Sequence, residues 1–90
     1  MISKYRKPVH PGEVLLHEFL EPLHITPAEL ARKMSVPVHK INLLIHGKQD
    51  MTADIAVLLS QILKTSSEFW MNLQVARDLY EAKKHLKKAA

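Results

Sequence analysis

The sequence has 90 residues, of which 47% are hydrophobic and 24% are charged, with a formal net charge of +4 at pH 7. This length and composition predict one folded domain over 1–90 and exclude an intrinsically disordered chain. The sequence has no cysteine, which excludes disulfides and thiolate metal sites, and it has no run near the ~20 apolar residues that cross a bilayer. We therefore expect a cytoplasmic protein without membrane contact.

The charges are distributed unevenly along the chain. Residues 1–10 carry three basic side chains and no acidic one, which predicts a basic N-terminal arm. Residues 11–30 carry four glutamates and no lysine or arginine, whereas residues 31–50 carry four lysines and arginines against one aspartate. A basic block in the middle of a small domain indicates a polyanionic partner, and a solvated helix face is the alternative.

Apolar residues recur at helical spacing along the chain, and no useful stretch alternates with the period of a strand. We therefore predict an all-α fold of five helices, with Pro22 ending the first helix and Gly47 closing the third. The lysine-rich end of the chain, 84–90, is expected to fray. The first three predicted helices lie at about 12–21, 27–34 and 37–46. The fourth follows an N-cap at Thr52, and the fifth follows an N-cap at Ser67.

The segment 27–47 has the organisation of a helix-turn-helix: a short helix, a connection of about three residues, a second helix and a glycine. Ala31 is the small residue required where the two helices approach each other. The apolar residues expected to fix their crossing angle are Leu30, Val36, Ile41 and Leu44. If Ile41 and Leu44 face inward, the outer side of the second helix is free to enter the major groove of DNA. That outer side holds Val38, His39, Asn42, Leu43 and His46, with Lys40 on its flank.

Four segments in order resemble the HigA, or VapI-like, family of addiction-module antitoxins, within the lambda-repressor-like helix-turn-helix class. They are HPGEVLLHEFLEPL, ITPAELARKMSVPVHKINLLIHGK, MTADIAVLL and SSEFWMNLQ, and the match runs from about His10 to Leu79. The resemblance implies a five-helix DNA-binding fold that dimerises through its C-terminal helices, associates with the nucleoid and represses its own promoter. In many members it also implies neutralisation of a RelE-like toxin that cleaves mRNA on the ribosome.

The same resemblance assigns roles to positions around the second helix of the helix-turn-helix. It implies base reading by Val38, His39, Asn42 and Leu43, and phosphate contacts by Lys40 and Lys48. His46 stands where family members often have asparagine, and we predict a phosphate contact for it from its position in the groove near phosphates. Because two of the base-reading residues are apolar, we expect contacts to thymine methyl groups beside hydrogen bonds. Two positions depart from the family pattern: Ser35 stands where glycine is common, and Pro27 replaces a polar residue that contacts phosphate. We therefore expect a strained turn at Ser35 and, at Pro27, the loss of one contact to the DNA backbone.

The last two helices, within 52–83, carry more apolar residues than three short helices can cover. We therefore predict a homodimer formed mainly by 52–80, which places two recognition helices about 34 Å apart to read a palindromic operator. Trp70 is expected at the dimer interface or in the core directly beneath it. The residues assigned to the core or the dimer contact are Phe69, Trp70, Leu73, Ala76, Leu79 and Tyr80.

Other kinds of site receive little support from the sequence. His17 and Glu18 begin like a zinc-protease motif, but Glu21 stands where the second histidine ligand belongs, and we predict no metal and no cofactor. No nucleophile stands beside a base and no glycine-rich phosphate loop is present, so we do not expect an enzyme. Two function classes remain: a DNA-binding repressor, with or without a toxin partner, and a protein-interaction module that does not use DNA.

Overall fold

The computed structural model describes residues 7–89, and all regular secondary structure in that range is helical. The predicted all-α, five-helix fold is confirmed. Most of the predicted basic arm, residues 1–6, and Ala90 lie outside the described residues. The helices are α1, continuous over 11–23, α2 at Pro27–Met34, α3 at Val38–Ile45, α4 at Ala53–Leu63 and α5 at Ser67–Ala89.

The first helix passes through Pro22, where the sequence pattern predicts its end. A proline ring collides with the carbonyl four residues back in a regular α-helix. Here the backbone N–H of Glu21 bonds to the carbonyl of Leu16, five residues back, and this wider π-helical pairing relaxes the spacing just before the ring. The helix therefore continues past Pro22 to Leu23, and His24, with φ 56°, is its C-cap. Its parts are an α-helical turn at Pro11–Val14, a π-helical turn at Leu15–Leu20 and an α-helical turn at Glu21–Leu23.

The ends of α2 and α3 are set by caps. Thr26 Oγ1 accepts the backbone N–H of Glu29 at 3.1 Å, and the Glu29 carboxylate accepts the N–H of Thr26 at 2.8 Å, a bond that lowers the pKa of Glu29. Ser35, at the end of α2, has φ 57°, which glycine adopts without strain, so the expected strain in the turn is present. Pro37 is extended and precedes α3, which therefore starts at Val38 rather than at the proline. Gly47, with φ 72°, follows α3 as predicted.

The hydrophobic core lies between α1, the α2–α3 pair, α4 and the first turn of α5. Trp70 is fully buried in it, and its indole Nε1–H donates to Thr65 Oγ1 at 2.7 Å, which satisfies the polar end of this large side chain. The ring of Phe19 packs on it with centroids 5.2 Å apart. The other fully buried side chains include Leu15, Leu20, Leu30, Ile41 and Leu59.

Only some of the α5 residues assigned to the core or the dimer contact lie in the core of one chain. Trp70 is in the core as expected, but Ala76 and Leu79 are exposed, and Leu73 and Tyr80 are only half-buried. Gln74 is buried instead. Its Oε1 accepts the backbone N–H of Met51 at 2.7 Å, so a polar side chain satisfies a buried backbone group that an apolar residue would leave unpaired.

Both ends of α5 also differ from the prediction. The cap is Ser66, whose Oγ accepts the backbone N–H of Phe69 at 3.0 Å, whereas Ser67 Oγ donates to Ser60 Oγ at 3.2 Å. At the other end the helix continues to Ala89 and does not fray at 84. Alanine, lysine and leucine favour a helix, and lysines near a helix C-terminus interact favourably with its dipole.

The start of α1 packs directly on the end of α3. His10 Nδ1 accepts the backbone N–H of Gly12 at 2.9 Å and caps α1. Burial, assisted by the charge of Arg77, lowers the pKa of His10, which keeps Nδ1 free to accept this bond. A Cβ at Gly12 would overlap the backbone carbonyl oxygen of Leu44, so a side chain at this position is incompatible with the observed contact.

We expect Gly12→Ala to lower the free energy of unfolding by about 3 kcal/mol or more, because backbone must move to admit the methyl group. Helix propensity alone gives the opposite sign, a gain of up to about 1 kcal/mol. Urea denaturation measures the difference. Glu13→Ala, an exposed change on the same turn, is the control and should stay within about 0.5 kcal/mol of the unchanged protein. A neutral or stabilising Gly12→Ala would contradict the contact.

Candidate nucleic-acid interface

The inner side of α3 holds the helix against the rest of the protein. Ile41 is 0% exposed and Leu44 is 3% exposed, which confirms the prediction that both face inward. Leu30 and Ala31 of α2 are buried with them. The two helices form the predicted helix-turn-helix, and the outer side of α3 is fixed by the packing of its inner side.

The outer side of α3 is a surface with mixed chemistry. We call Val38, His39, Asn42 and Leu43 the reading face, and all four are exposed. Val38 is 43% exposed and Leu43 is 38% exposed, so two apolar side chains face solvent on a helix of eight residues. Between them, the amide of Asn42 offers a donor and an acceptor on one group, the combination that pairs with the major-groove edge of adenine.

Basic side chains flank the reading face. Lys40 lies on α3 and Lys48 follows Gly47, and both are exposed. Arg32 and Lys33, in the last turn of α2, are exposed as well. Within residues 7–89 the ion pairs join Lys7 to Glu81 and His17 to Glu21, so neither involves these four cations. Their charges face solvent, where a polyanion can reach them.

His46 follows α3, and its ring is held by the helix. Its Nδ1 lies 2.7 Å from the backbone carbonyl oxygen of Asn42. A carbonyl oxygen only accepts, so Nδ1 carries the proton, and in the neutral ring Nε2 is an acceptor. A neutral His46 therefore has no free ring N–H for a phosphate oxygen. The sequence-based prediction of a phosphate contact by His46 requires the protonated ring, a condition that residue type alone does not reveal.

His17, on α1, is hydrogen-bonded to Glu21, the residue that stands where a zinc-protease motif has its second histidine ligand. His17 Nδ1 lies 3.0 Å from Glu21 Oε1, and this hydrogen bond raises the pKa of His17. Within residues 7–89 no three histidine, aspartate or glutamate side chains are grouped so that they could hold a metal ion. In the same range, no helix has the length and apolar character needed to cross a membrane.

The chain is similar to known proteins over most of its length, well beyond the helix-turn-helix. No protein-family model matches the chain. The chain is 38% identical over 82 residues to the HTH-type transcriptional regulator YbaQ of Escherichia coli strain K12, covering 91% of this chain and 73% of that protein. It is 40% identical over 85 residues to antitoxin HigA-1 of Vibrio cholerae, covering 94% of this chain and 80% of the relative.

A solved structure of Pseudomonas aeruginosa antitoxin HigA with the higBA promoter has the same fold as this chain, with a TM-score of 0.87 and 39% identity. The superposition covers 91% of this chain and 89% of that one. These matches extend well outside 27–47 and therefore include the helices that surround the reading face. The chain belongs to the HigA family of helix-turn-helix regulators and antitoxins.

Proposed function

We propose that this chain binds operator DNA as a homodimer, represses the promoter of its own module and serves as the antitoxin of that module. The DNA-binding part rests on one observation: the reading face is exposed on α3, while Ile41 and Leu44 on the other side of the same helix are buried in the core. In helix-turn-helix proteins the corresponding helix lies in the major groove and contacts base edges. The Pseudomonas aeruginosa relative, solved with the higBA promoter, supports the same use of DNA here.

The chemistry of the surface divides its residues into two roles. Asn42 and His39 can hydrogen-bond to base edges, while Val38 and Leu43 can contact thymine methyl groups. Base contacts of this kind distinguish one sequence from another. The lysines at 40 and 48 are suited to phosphates, which add affinity and set the register without carrying sequence information.

The dimer part of the proposal depends on α5. Val75, Leu79 and Leu86 are 47%, 52% and 65% exposed. Their separations of four and seven residues place them on one side of the helix. An apolar stripe of this kind suits pairing with the same stripe of a second copy, and a two-fold dimer presents two reading faces to a palindrome whose half-sites are about 34 Å apart. The stripe extends the predicted contact beyond 80 toward the end of the helix.

The antitoxin part is supported by the relatives named HigA in Vibrio cholerae and Pseudomonas aeruginosa. A regulator without a toxin is the second candidate, and the Escherichia coli relative, named as a transcriptional regulator, favours it. Expression of the protein encoded beside this chain's gene distinguishes the two candidates. Growth arrest that is relieved by co-expression of this chain supports the antitoxin, and unimpaired growth supports the second candidate.

Substitutions on the two parts of the DNA surface should have different effects. Lys40→Ala or Lys48→Ala should weaken binding to specific and random DNA equally and reduce the salt slope by about one for each phosphate that a subunit no longer neutralises. Asn42→Ala should cost about 1 to 3 kcal/mol at the specific site and much less on random DNA. Fluorescence anisotropy, with the DNA upstream of the gene and a random duplex over a series of salt concentrations, measures both effects.

The matched control for the lysine variants is Lys84→Ala, an exposed change on the side of α5 opposite the apolar stripe. It should leave both affinities and the salt slope unchanged. Equal losses on specific and random DNA in Asn42→Ala would show that α3 does not read bases through this residue. An unchanged slope in both Lys40→Ala and Lys48→Ala would remove these lysines from the phosphate contacts.

Leu79→Asp should convert the dimer to a monomer and weaken operator binding strongly, because it places a charge in the apolar stripe of α5. Sedimentation of the protein at micromolar concentration measures the assembly. Leu23→Asp, which changes another exposed leucine on α1, is the control and should remain dimeric. An unchanged protein that sediments as a monomer yet binds a palindrome tightly would disprove the dimer.

A further inference from the structure

A second surface, on a different part of the molecule from the reading face, is an open groove of about 490 Å³ between α1 and α5. We call it the α1–α5 groove. Its apolar lining comes from Val9, Val14, Phe19, Phe69 and Leu73. Two carboxylates, Glu13 and Glu18, lie on the α1 side of the same groove, together with the imidazole of His17, which is hydrogen-bonded to the carboxylate of Glu21. None of these residues belongs to the surface that the proposed DNA contacts use.

The floor of the groove is an ordered aromatic cluster. The rings of Phe19 and Phe69 have centroids 6.1 Å apart and are inclined at 67°. Phe69 also packs edge-on against the buried Trp70, with centroids 4.9 Å apart. Val9 and Phe69 nevertheless remain exposed. The groove therefore presents apolar surface, held in place by the core, that an apolar side chain of a partner could cover.

The charge of the groove is opposite to that of the whole chain. Glu13 and Glu18 are both exposed, and among the side chains described, those of residues 7–86, neither has an ion-pair partner. Residues 11–30 contain no lysine or arginine, although the chain carries a net charge of +4. A local negative potential on a positively charged protein disfavours nucleic acid at this place and attracts a cationic partner.

Lys7 and Pro8, which precede the groove residue Val9, lie against α5 beyond the groove. The backbone carbonyl of Pro8 accepts from Arg77 Nη1 at 3.1 Å, and Lys7 Nζ lies 3.7 Å from Glu81 Oε2. Going backward from Val9, the chain therefore runs along α5 away from Leu73. Glu81 is eight residues beyond Leu73, about 12 Å along the helix, so Lys7 and Pro8 do not cover the groove.

A second copy of this chain is also a poor occupant. A two-fold contact places the same surface on both partners. Pairing of two α1–α5 grooves would therefore bring Glu13 and Glu18 of one copy toward the same glutamates of the other. Juxtaposed like charges oppose association. A partner of opposite charge avoids this repulsion.

We propose that the α1–α5 groove is the docking site for a positively charged protein, which places an apolar side chain against Phe19 and Phe69 and basic side chains against Glu13 and Glu18. The inference rests on the proposed antitoxin function and assigns a surface to the toxin. The family resemblance implies a toxin that cleaves mRNA, and a protein of that kind needs cationic surface to meet phosphates, which would complement these glutamates. The toxin and the operator then use separate residues of one chain.

The test is calorimetric titration with the purified protein encoded beside this chain's gene. Glu13→Lys and Glu18→Lys should each weaken its binding by about tenfold or more, because each reverses a charge that faces a cationic partner. Added salt should weaken binding of the unchanged chain more than that of the two variants. Asp54→Lys, with the same charge change on an exposed residue of α4 outside the groove, is the control and should bind like the unchanged chain.

The outcomes separate this inference from the proposed function. If the unchanged chain binds the neighbouring protein and neither Glu13→Lys nor Glu18→Lys weakens that binding, the groove is not the docking site. The proposed antitoxin role is then unaffected. No binding by the unchanged chain would overturn both, while anisotropy with operator DNA still decides the repressor role. A change of sedimentation in the two variants, absent in Asp54→Lys, would show that a second copy occupies the groove and would also overturn the proposal.

Discussion

The backbone contact between Gly12 and the Leu44 carbonyl group determines how the reading face is presented. α3 has eight residues, and a helix of that length is not stable alone in water. Its orientation therefore depends on its neighbours: α2 packs on one side, and the first turn of α1 touches its end. The His10 cap fixes that turn of α1. Gln74 accepts the backbone N–H of Met51, near the far end of the loop that joins α3 to α4. The loop is therefore held to the core at its end as well as at its start.

The distribution of charge gives this small protein two surfaces of different character. Lys40 and Lys48 flank the reading face, whereas Glu13 and Glu18 lie at the α1–α5 groove. Both surfaces are built on the same core, since the groove is floored by aromatic rings that pack on Trp70. Opposite potentials help to keep a nucleic acid and a cationic protein from competing for one place. A net charge of +4 conceals this division, which appears only when position along the chain is considered.

The sequence predicts those parts of the structure that depend on local pattern. The five helices, the inward orientation of Ile41 and Leu44 and the closing role of Gly47 follow from helical spacing and backbone preference. The continuation of α1 through Pro22 depends on a change in hydrogen-bond register, and the burial of Gln74 depends on a backbone N–H 23 residues away. Neither has a local signal in the sequence. The α1–α5 groove likewise joins residues far apart in the chain, so only the folded structure reveals it.

The most direct test of the central claim is to map amide chemical shifts by NMR while adding a duplex from the region upstream of the gene. The account predicts that the largest changes fall within 38–48, on α3 and the turn that follows it. Amides of α1 around Glu13 and Glu18 should change little. Large changes around these glutamates, with residues 38–48 unaffected, would contradict the assignment of α3 as the surface that reads DNA.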